Sequence, residues 1–383
     1  MEFGVHLPVF GPAATRDGVL LFARRMEALG YHSLWVSDHV VIPGRIRSRY
    51  PYNATGDFPL APDTDFLEPL TVLALVAGAT GKIRLGTSVL VLPHRHPLLA
   101  AKMLATLDHL APGRVILGAG VGWMREEIEL FGVPYARRGA WSDEALRVMR
   151  ACWRGERAAF KGEFFAFDDL GCRPAPAHGT IPVWIGGHTE RALARVATLG
   201  DGWHAAFPSV EKMQDGLGRL REACRRVGRD PATLTVSARV GLPARRSSAD
   251  VLTEVRALGD LGVAHVILET GGRDVAQMTA TCERVASEVR PQLSRRCAPP
   301  ICPRSTSSSI RWRACSRRPR CPISHRCSIF RRPRSTPRLP RWRWAAPSAS
   351  SSTGPRARPA DIASGSWCSG TPLTNGTPRP ASR

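Results

Sequence analysis

No apolar run in the 383-residue sequence approaches the roughly 18 residues that a membrane-spanning helix needs, so no membrane association is expected. No leader fits ahead of the first strand-like run, which starts almost at Met1, and a soluble cytoplasmic protein is the expectation. Paired CxxC spacing is missing. Cys152, Cys172, Cys224 and Cys282 lie far apart, as small apolar residues would, and no metal site is expected from them. There is no GxGxxG turn after the first strand, no GxSxG nucleophile elbow and no Walker loop, so dinucleotide folds, serine hydrolases and nucleotide phosphatases lose their usual signatures.

Acidic residues and lysine are scarce in one stretch only. Residues 1–293 hold 35 Lys and Arg against 31 Asp and Glu, whereas residues 294–383 hold 19 Arg, no Lys and a single acid, Asp361. The net charge of +22 therefore belongs to the tail, and the body is a near-neutral globule. The tail carries 14 prolines and no 3.6- or 2.0-residue periodicity, so it offers no core. Two readings fit it. One is a disordered basic arm with Trp312, Trp342 and Trp344 set among arginines for nucleic acid. The other, which the composition favours, is a frameshift: a GC-rich gene read out of frame yields Arg, Pro, Ser and Ala with almost no Lys, Asp or Glu. Nucleic acid is accordingly not the expected partner.

Eight strand-like runs mark the body, at 3–9, 33–38, 83–92, 114–121, 182–187, 202–206, 234–242 and 265–270. An amphipathic helical pattern follows each, at 17–30, 67–80, 98–111, 143–155, 189–200, 210–228, 249–262 and 274–289. Gly30, Gly200, Gly228 and Gly262 stand where helices end on a left-handed cap. Strict strand–helix alternation gives a parallel sheet, and eight units in this length predict a closed (β/α)8 TIM barrel over residues 1–293. Its chemistry belongs at the C-terminal ends of the strands.

Those ends carry the candidate residues. Strand 2 stops at Asp38 and His39, two polar residues that packing alone does not require. Thr87 and Ser88 interrupt the apolar third strand, where they can point hydroxyls into the mouth or simply be satisfied within the sheet. Gly118, Gly120 and Gly122 in "GAGVGW" can let the backbone approach a flat ligand with Trp123 beside it, or form a plain strand-to-helix turn. Gly186, Gly187, His188 and Thr189 open a helix with bare N–H groups, an anion site unless Thr189 only caps it. Glu126 and Glu127 read as solvated helix-start acids, and His94 and His96 lack a third metal ligand.

Taken together, "LGYHSLWVSDHVVIP", the 69–123 stretch through "GAGVGW", "RRGAWSDEALRVM" and "PVWIGGHTERALARVATLGDGW" resemble the bacterial luciferase-like flavin and deazaflavin oxidoreductases, collinearly over residues 1 to about 290. The insertion "SRYPYNATGDFPLAPDTDFLEPL" (48–70) resembles an actinobacterial branch assigned to coenzyme F420. The resemblance implies a tricyclic cofactor at the barrel mouth, a cis peptide at Ser88–Val89 beneath it, and phosphate contacts from Gly186, Gly187, His188 and Thr189. It further implies His39 as the proton-handling group, with Asp38 contacting the cofactor or orienting the imidazole. Thr87, Gly120, Gly122 and Trp123 would complete the cofactor site. Pro43 and Val121 stand near where the sugar-phosphate dehydrogenases of the family have tryptophan and glutamate, which sets that activity aside.

The expected function is F420-dependent hydride transfer to or from a small organic substrate, in a possible homodimer; the alternative is a reduced-FMN monooxygenase that uses O2. Because the eighth unit is complete by Val289, a chain lacking residues 294–383 should fold and bind the same cofactor as the full chain. Insolubility of that truncated chain alone would show the tail to be structural.

Overall fold

The computed structural model describes residues 1–271 and 274–294; the expectations for the tail lie outside the described residues. The barrel is formed by β1 (Glu2–His6), β2 (Ser33–Val36), β3 (Arg84–Thr87) with β4 (Leu90–Val91), and β5 (Val115–Gly120). An antiparallel hairpin, β6 (Arg157–Lys161) with β7 (Ala166–Gly171), stands apart from it. The barrel resumes with β8 (Val183–Gly186), β9 (Gly202–Ala206), β10 (Thr235–Pro243) and β11 (His265–Gly271). All barrel pairings are parallel, and the sheet closes through β1 with β11 and β3 with β5. The third barrel position is one interrupted strand: between β3 and β4 the Ser88–Val89 peptide is cis.

The helices around it are α1 (Arg16–Ala28), α2 (Pro69–Ala79), α3 (Pro97–Leu110), α4 (Arg125–Leu130), α5 (Arg138–Trp153), α6 (Glu190–Leu199), α7 (Val210–Arg226), α8 (Ser248–Asp260) and α9 (Val275–Arg284). A π turn over Val285–Val289 leads into α10 (Arg290–Ser294). Thr15, Thr189, Ser209, Ser247 and Asp274 cap α1, α6, α7, α8 and α9 by accepting a backbone N–H from the first turn. Gly30, Gly228 and Gly262 have φ of +71°, +66° and +95°, as their helix-ending positions require. Gly200 does not. Its φ is −91°, and what demands glycine there is crowding, since a Cβ would lie 3.0 Å from Ile185 Cγ1 and 3.1 Å from the Val196 carbonyl.

The barrel interior is filled by large side chains facing small ones. Trp35, Ile116, Trp184 and Ile267 form one cluster, with the two indoles stacked at 5.3 Å. Room for Trp35 comes from Gly4 and Gly86, where an added Cβ would come within 2.5 Å of the indole. The indole N–H donates to Ser33 Oγ, which lies 2.9 Å from His265 Nε2. His204 lies against the other face of Trp35, its ring held between Ser88 and Ser237.

Burial pushes His6 down to about 4 and His204 to about 3, with Arg239 adding to the effect, and it holds His265 well below the ordinary histidine value. The unfolded chain therefore takes up protons below its ordinary pKa near 6.5 while the folded chain does not, and stability falls as pH drops from 6.5 toward 4. His6 and His204 should each cost roughly 2 kcal/mol by pH 4.5. A denaturation midpoint that stays flat between pH 6.5 and 4.5 would show that these imidazoles are not held neutral.

Candidate active site

The C-terminal strand ends open into one cavity of about 1570 Å³, lined by residues of β4, β5 and β8 to β11, by residues just after β1, β2 and β3, and by the 48–70 insertion. At the end of β2 the chain turns sharply and places His39 on the cavity wall. His39 Nδ1 lies 2.7 Å from Glu127 Oε2, and no described residue bonds Nε2. Glu127 is fully buried, and its other oxygen accepts the backbone N–H groups of Val40 at 2.7 Å and Val41 at 3.2 Å. Burial alone would raise this carboxyl; the His39 hydrogen bond and charge, the nearby His94 and the Val40 N–H hold it below the ordinary glutamate value. An ionised Glu127 fixes the tautomer: Nδ1 carries the proton, and Nε2 is the group left for chemistry.

Glu127 was expected to be solvated, and that expectation is overturned. Its neighbour Glu126 is also occupied, accepting from Arg47 N, Ser48 N and Ser48 Oγ and so tying the insertion to α4. Of the two roles expected for Asp38, orienting the imidazole of His39 does not match its bonding, and contact with a cofactor stays a proposal. Asp38 accepts from Val91 N and, on both oxygens, from the Arg95 guanidinium, which also reaches Glu68. Asp38 therefore locks the ends of β2 and β4 together. Between Asp38 and Glu127 sits His94, buried, at 3.9 and 3.6 Å from them, with neither ring nitrogen hydrogen-bonded among the described residues. Burial, partly offset by Glu127 and Asp38, keeps its pKa low.

The cis peptide at the β3–β4 break forms the cavity floor. Ser88 Oγ is 2.8 Å from His204 Nε2, and the Ser88 carbonyl accepts from Arg239 at 2.7 Å; Arg239 is paired with Glu269. Val89 fills a slot between two strands. A Cβ on Gly120 would lie 2.4 Å from Val89 Cγ2, and one on Gly186 would lie 2.9 Å from Val89 Cγ1. These glycines thus make room for the Val89 side chain. Gly118 admits the Thr87 carbonyl, at 1.8 Å from its would-be Cβ, and Gly122 combines φ +76° with packing against Ile128 and Val91. Thr87 is also corrected: its hydroxyl donates to the Gly118 carbonyl at 2.7 Å and does not reach the cavity.

Beyond β8, Gly187 has φ +112°, and Thr189 spends its hydroxyl capping α6. The His188 ring lies 2.9 Å from the Ala206 carbonyl, and its own carbonyl accepts from Arg219 at 3.0 Å. The capped N-termini of α6 and α7 both open near this end, where Arg191, Lys212 and Arg219 line the cavity. Arg219 is paired with Asp215, whereas Arg191 and Lys212 have no acidic partner among the described residues. The opposite end is aromatic. Phe58, Phe66 and Trp123 surround His39 at centroid distances of 4.8, 5.5 and 6.2 Å, and Tyr50 lies edge-on to Phe58 and Trp123.

Sequence reasoning missed Glu127, the Arg239–Glu269 pair and the aromatic insertion. Signals existed: Met124, Glu127, Ile128 and Phe131 share one helical stripe, and Arg239 and Glu269 interrupt apolar strands. One further group of potential ligand atoms, from Glu2, His32 and His265, lies at the opposite end of the barrel, where β1, β2 and β11 begin. Among the described residues no helix is long and apolar enough to cross a membrane.

Comparison with known proteins bears on the family and the fold. The sequence model described as luciferase-like monooxygenase matches residues 1–292. An uncharacterised protein of Mycobacterium tuberculosis is 32% identical over 270 residues, covering 70% of this chain and 92% of that protein. Among solved structures, an F420-dependent secondary alcohol dehydrogenase bound to an F420–acetone adduct superposes with a TM-score of 0.64 at 17% identity, over 76% of this chain and 98% of that one. The FMN complex of the oxygenating constituent of 3,6-diketocamphane monooxygenase from Pseudomonas putida gives 0.59 at 17%, over 76% and 98%.

The Val89 slot makes a compensating pair. Gly120→Ala should overpack it, costing about 1–3 kcal/mol and displacing the cavity floor. Adding Val89→Ala should recover most of that loss, and a double variant no more stable than Gly120→Ala would mean that the glycine serves something else.

Proposed function

The chain belongs to the luciferase-like monooxygenase family, and on that premise we propose that its barrel mouth is the site of a deazaflavin-dependent oxidoreductase, using coenzyme F420 for hydride transfer to or from a small organic substrate. The observation that carries this reading is the buried Glu127 carboxylate on His39 Nδ1, which leaves Nε2 as a directed proton acceptor or donor at the cavity wall.

The residues present fit such a cofactor. The cavity exceeds the few hundred to about 1,000 Å³ of an ordinary small-molecule pocket, so it has room for a tricyclic ring, its side chain and a substrate. Arg191 and Lys212, cations without acidic partners among the described residues, lie where two capped helices begin, an arrangement suited to anionic groups. Together with Gly186, Gly187, His188 and Thr189 they would hold the phosphate. A spread of positive charge suits a ligand with several anionic groups, as in the phosphodiester and glutamyl carboxylates of F420, better than the single phosphate of FMN. Ser88, Val89 and Trp123 would border the ring. Gly120 and Gly122 contribute by shaping that wall, and Thr87 only by bracing the sheet.

When bound, the deazaflavin supplies a two-electron hydride acceptor or donor. The chain supplies the rest. His39 Nε2 takes the hydroxyl proton as an alcohol becomes a carbonyl, or returns it in the reverse direction. Glu127 holds the imidazole for both. The Asp38–Arg95–Glu68 chain keeps the His39 turn from moving relative to β4, and the aromatic rings exclude water. The similarity to an F420-dependent secondary alcohol dehydrogenase supports this choice of chemistry.

Titrating the purified protein with F420 and with FMN tests the cofactor: F420 should saturate without oxygen uptake, and tight FMN binding with oxygen consumption would establish the monooxygenase reading instead. His39→Ala should lower turnover about 10²–10⁴-fold while leaving cofactor affinity nearly unchanged. If melting temperature and affinity fell together while surviving molecules turned over normally, His39 would be a brace for the loop. Glu127→Gln, which keeps an acceptor for Nδ1–H, should lose less turnover than His39→Ala.

A further inference from the structure

We infer that the substrate half of the cavity selects a neutral, largely hydrocarbon compound with one or more rings, bearing a single hydroxyl or ketone presented to His39. This rests on the proposed oxidoreductase reading and deepens it.

The distribution of charge and aromatic surface carries the argument. The carboxylates lining the cavity are committed to basic partners: Asp38 to Arg95, Glu127 to His39, Glu269 to Arg239, Asp143 to Arg195 and Asp215 to Arg219. A cationic substrate would find no free counter-charge among them. Of the cavity cations without acidic partners among the described residues, Arg191 and Lys212 belong to α6 and α7 beyond β8 and β9, whereas His39 stands at the end of β2. Arg138, which opens α5, is turned onto the Tyr135 ring and donates to the Gly122 and Tyr135 carbonyls, so its guanidinium is occupied. Arg49 also lines the cavity, but its guanidinium lies over Gly56 and donates to the Thr55 carbonyl, turned into the insertion. An anionic head group beside His39 would therefore lack a partner too.

What does surround His39 is ring surface. Phe58 and Tyr50 come from the insertion, Phe66 from its end, and Trp123 from the turn after β5. Phe10 extends this wall by stacking on Phe66 at 5.7 Å. Aromatic walls favour apolar bodies and flat or ring-shaped ones above all. Burial raises Tyr50 to about 12, so its hydroxyl stays neutral. A polyhydroxylated sugar would bury hydroxyls with no partners on such a wall, which disfavours it as strongly as charge does. One oxygen, by contrast, is satisfied by His39 Nε2.

The probe is 2-tetralone, with glucose 6-phosphate, benzoate and the trimethylphenylammonium ion as polar, anionic and cationic comparisons. Binding is read by saturation-transfer NMR on the full chain, alone and saturated with whichever of F420 or FMN it binds. Expected results are saturable binding of 2-tetralone to the cofactor-loaded protein, at least about tenfold tighter than the three comparisons. Phe58→Ala should weaken it about tenfold or more, and Phe58→Leu, which keeps apolar bulk, should weaken it less. Equal binding of a charged probe or the sugar phosphate would overturn the inference, as would a Phe58→Ala variant that melts normally and binds 2-tetralone like the parent. Turnover separates this inference from the reading beneath it. If 2-tetralone binds as expected but neither it nor its alcohol exchanges hydride with F420, the substrate class stands and the proposed reaction fails. If F420 exchanges hydride only with charged or open-chain substrates, the reaction stands and the substrate class fails.

Discussion

One buried carboxylate organises the mouth of this barrel. Removing Glu127 from water is costly unless both its oxygens find donors, and here a ring nitrogen and two backbone N–H groups, all from residues 39–41, supply them. Those donors belong to the loop that follows β2, whereas the carboxylate belongs to α4, after β5. The ion therefore does two jobs through one set of bonds. It pins a loop that has no regular structure of its own, and it sets which imidazole nitrogen faces the cavity. Substituting the glutamate affects both, so loop order and proton chemistry cannot be tuned separately.

The floor obeys a different constraint, that of volume. The chain breaks strand geometry between β3 and β4, and Val89 must go somewhere; it goes between β5 and β8, at positions where both strands carry glycine. Arg239 then holds the Ser88 carbonyl from β10, and Glu269 on β11 balances the guanidinium. Five barrel positions thus contribute to one irregular peptide. A glycine in this site is explained by what fills the space of its missing Cβ, and that filler is protein.

The barrel was legible because alternation of period-2 and period-3.6 patterns survives in a single sequence, whatever the partners are. The β6–β7 hairpin was not: both strands are short and largely exposed, and only Ala158, Phe160 and Phe167 turn apolar side chains to the core, too few to leave a clear pattern. Positions of candidate residues were legible to the extent that they sit at strand ends. Their bonding was not, since Asp38 and His39 are adjacent in sequence yet point to partners 57 and 88 residues away. Glu127 shows the limit most clearly. Beside Glu126 at a helix start it looks like a solvated acid, and only its place on the Met124–Ile128 stripe betrays that it faces inward.

The wall around His39 is aromatic, and that lining bears on chemistry more directly than the fold does. A barrel of this kind accommodates both hydride transfer and oxygen activation, as its structural likeness to an F420-dependent dehydrogenase and to an FMN-dependent monooxygenase makes plain. What differs between such chemistries is the handling of protons and water beside the ring. Here the unbonded Nε2 belongs to a His39 ring packed against Phe58, Phe66 and Trp123, and the side chain is only 10% exposed. In the proposed reaction, a proton moved through Nε2 would pass between imidazole and substrate during the hydride-transfer step and reach solvent only afterwards.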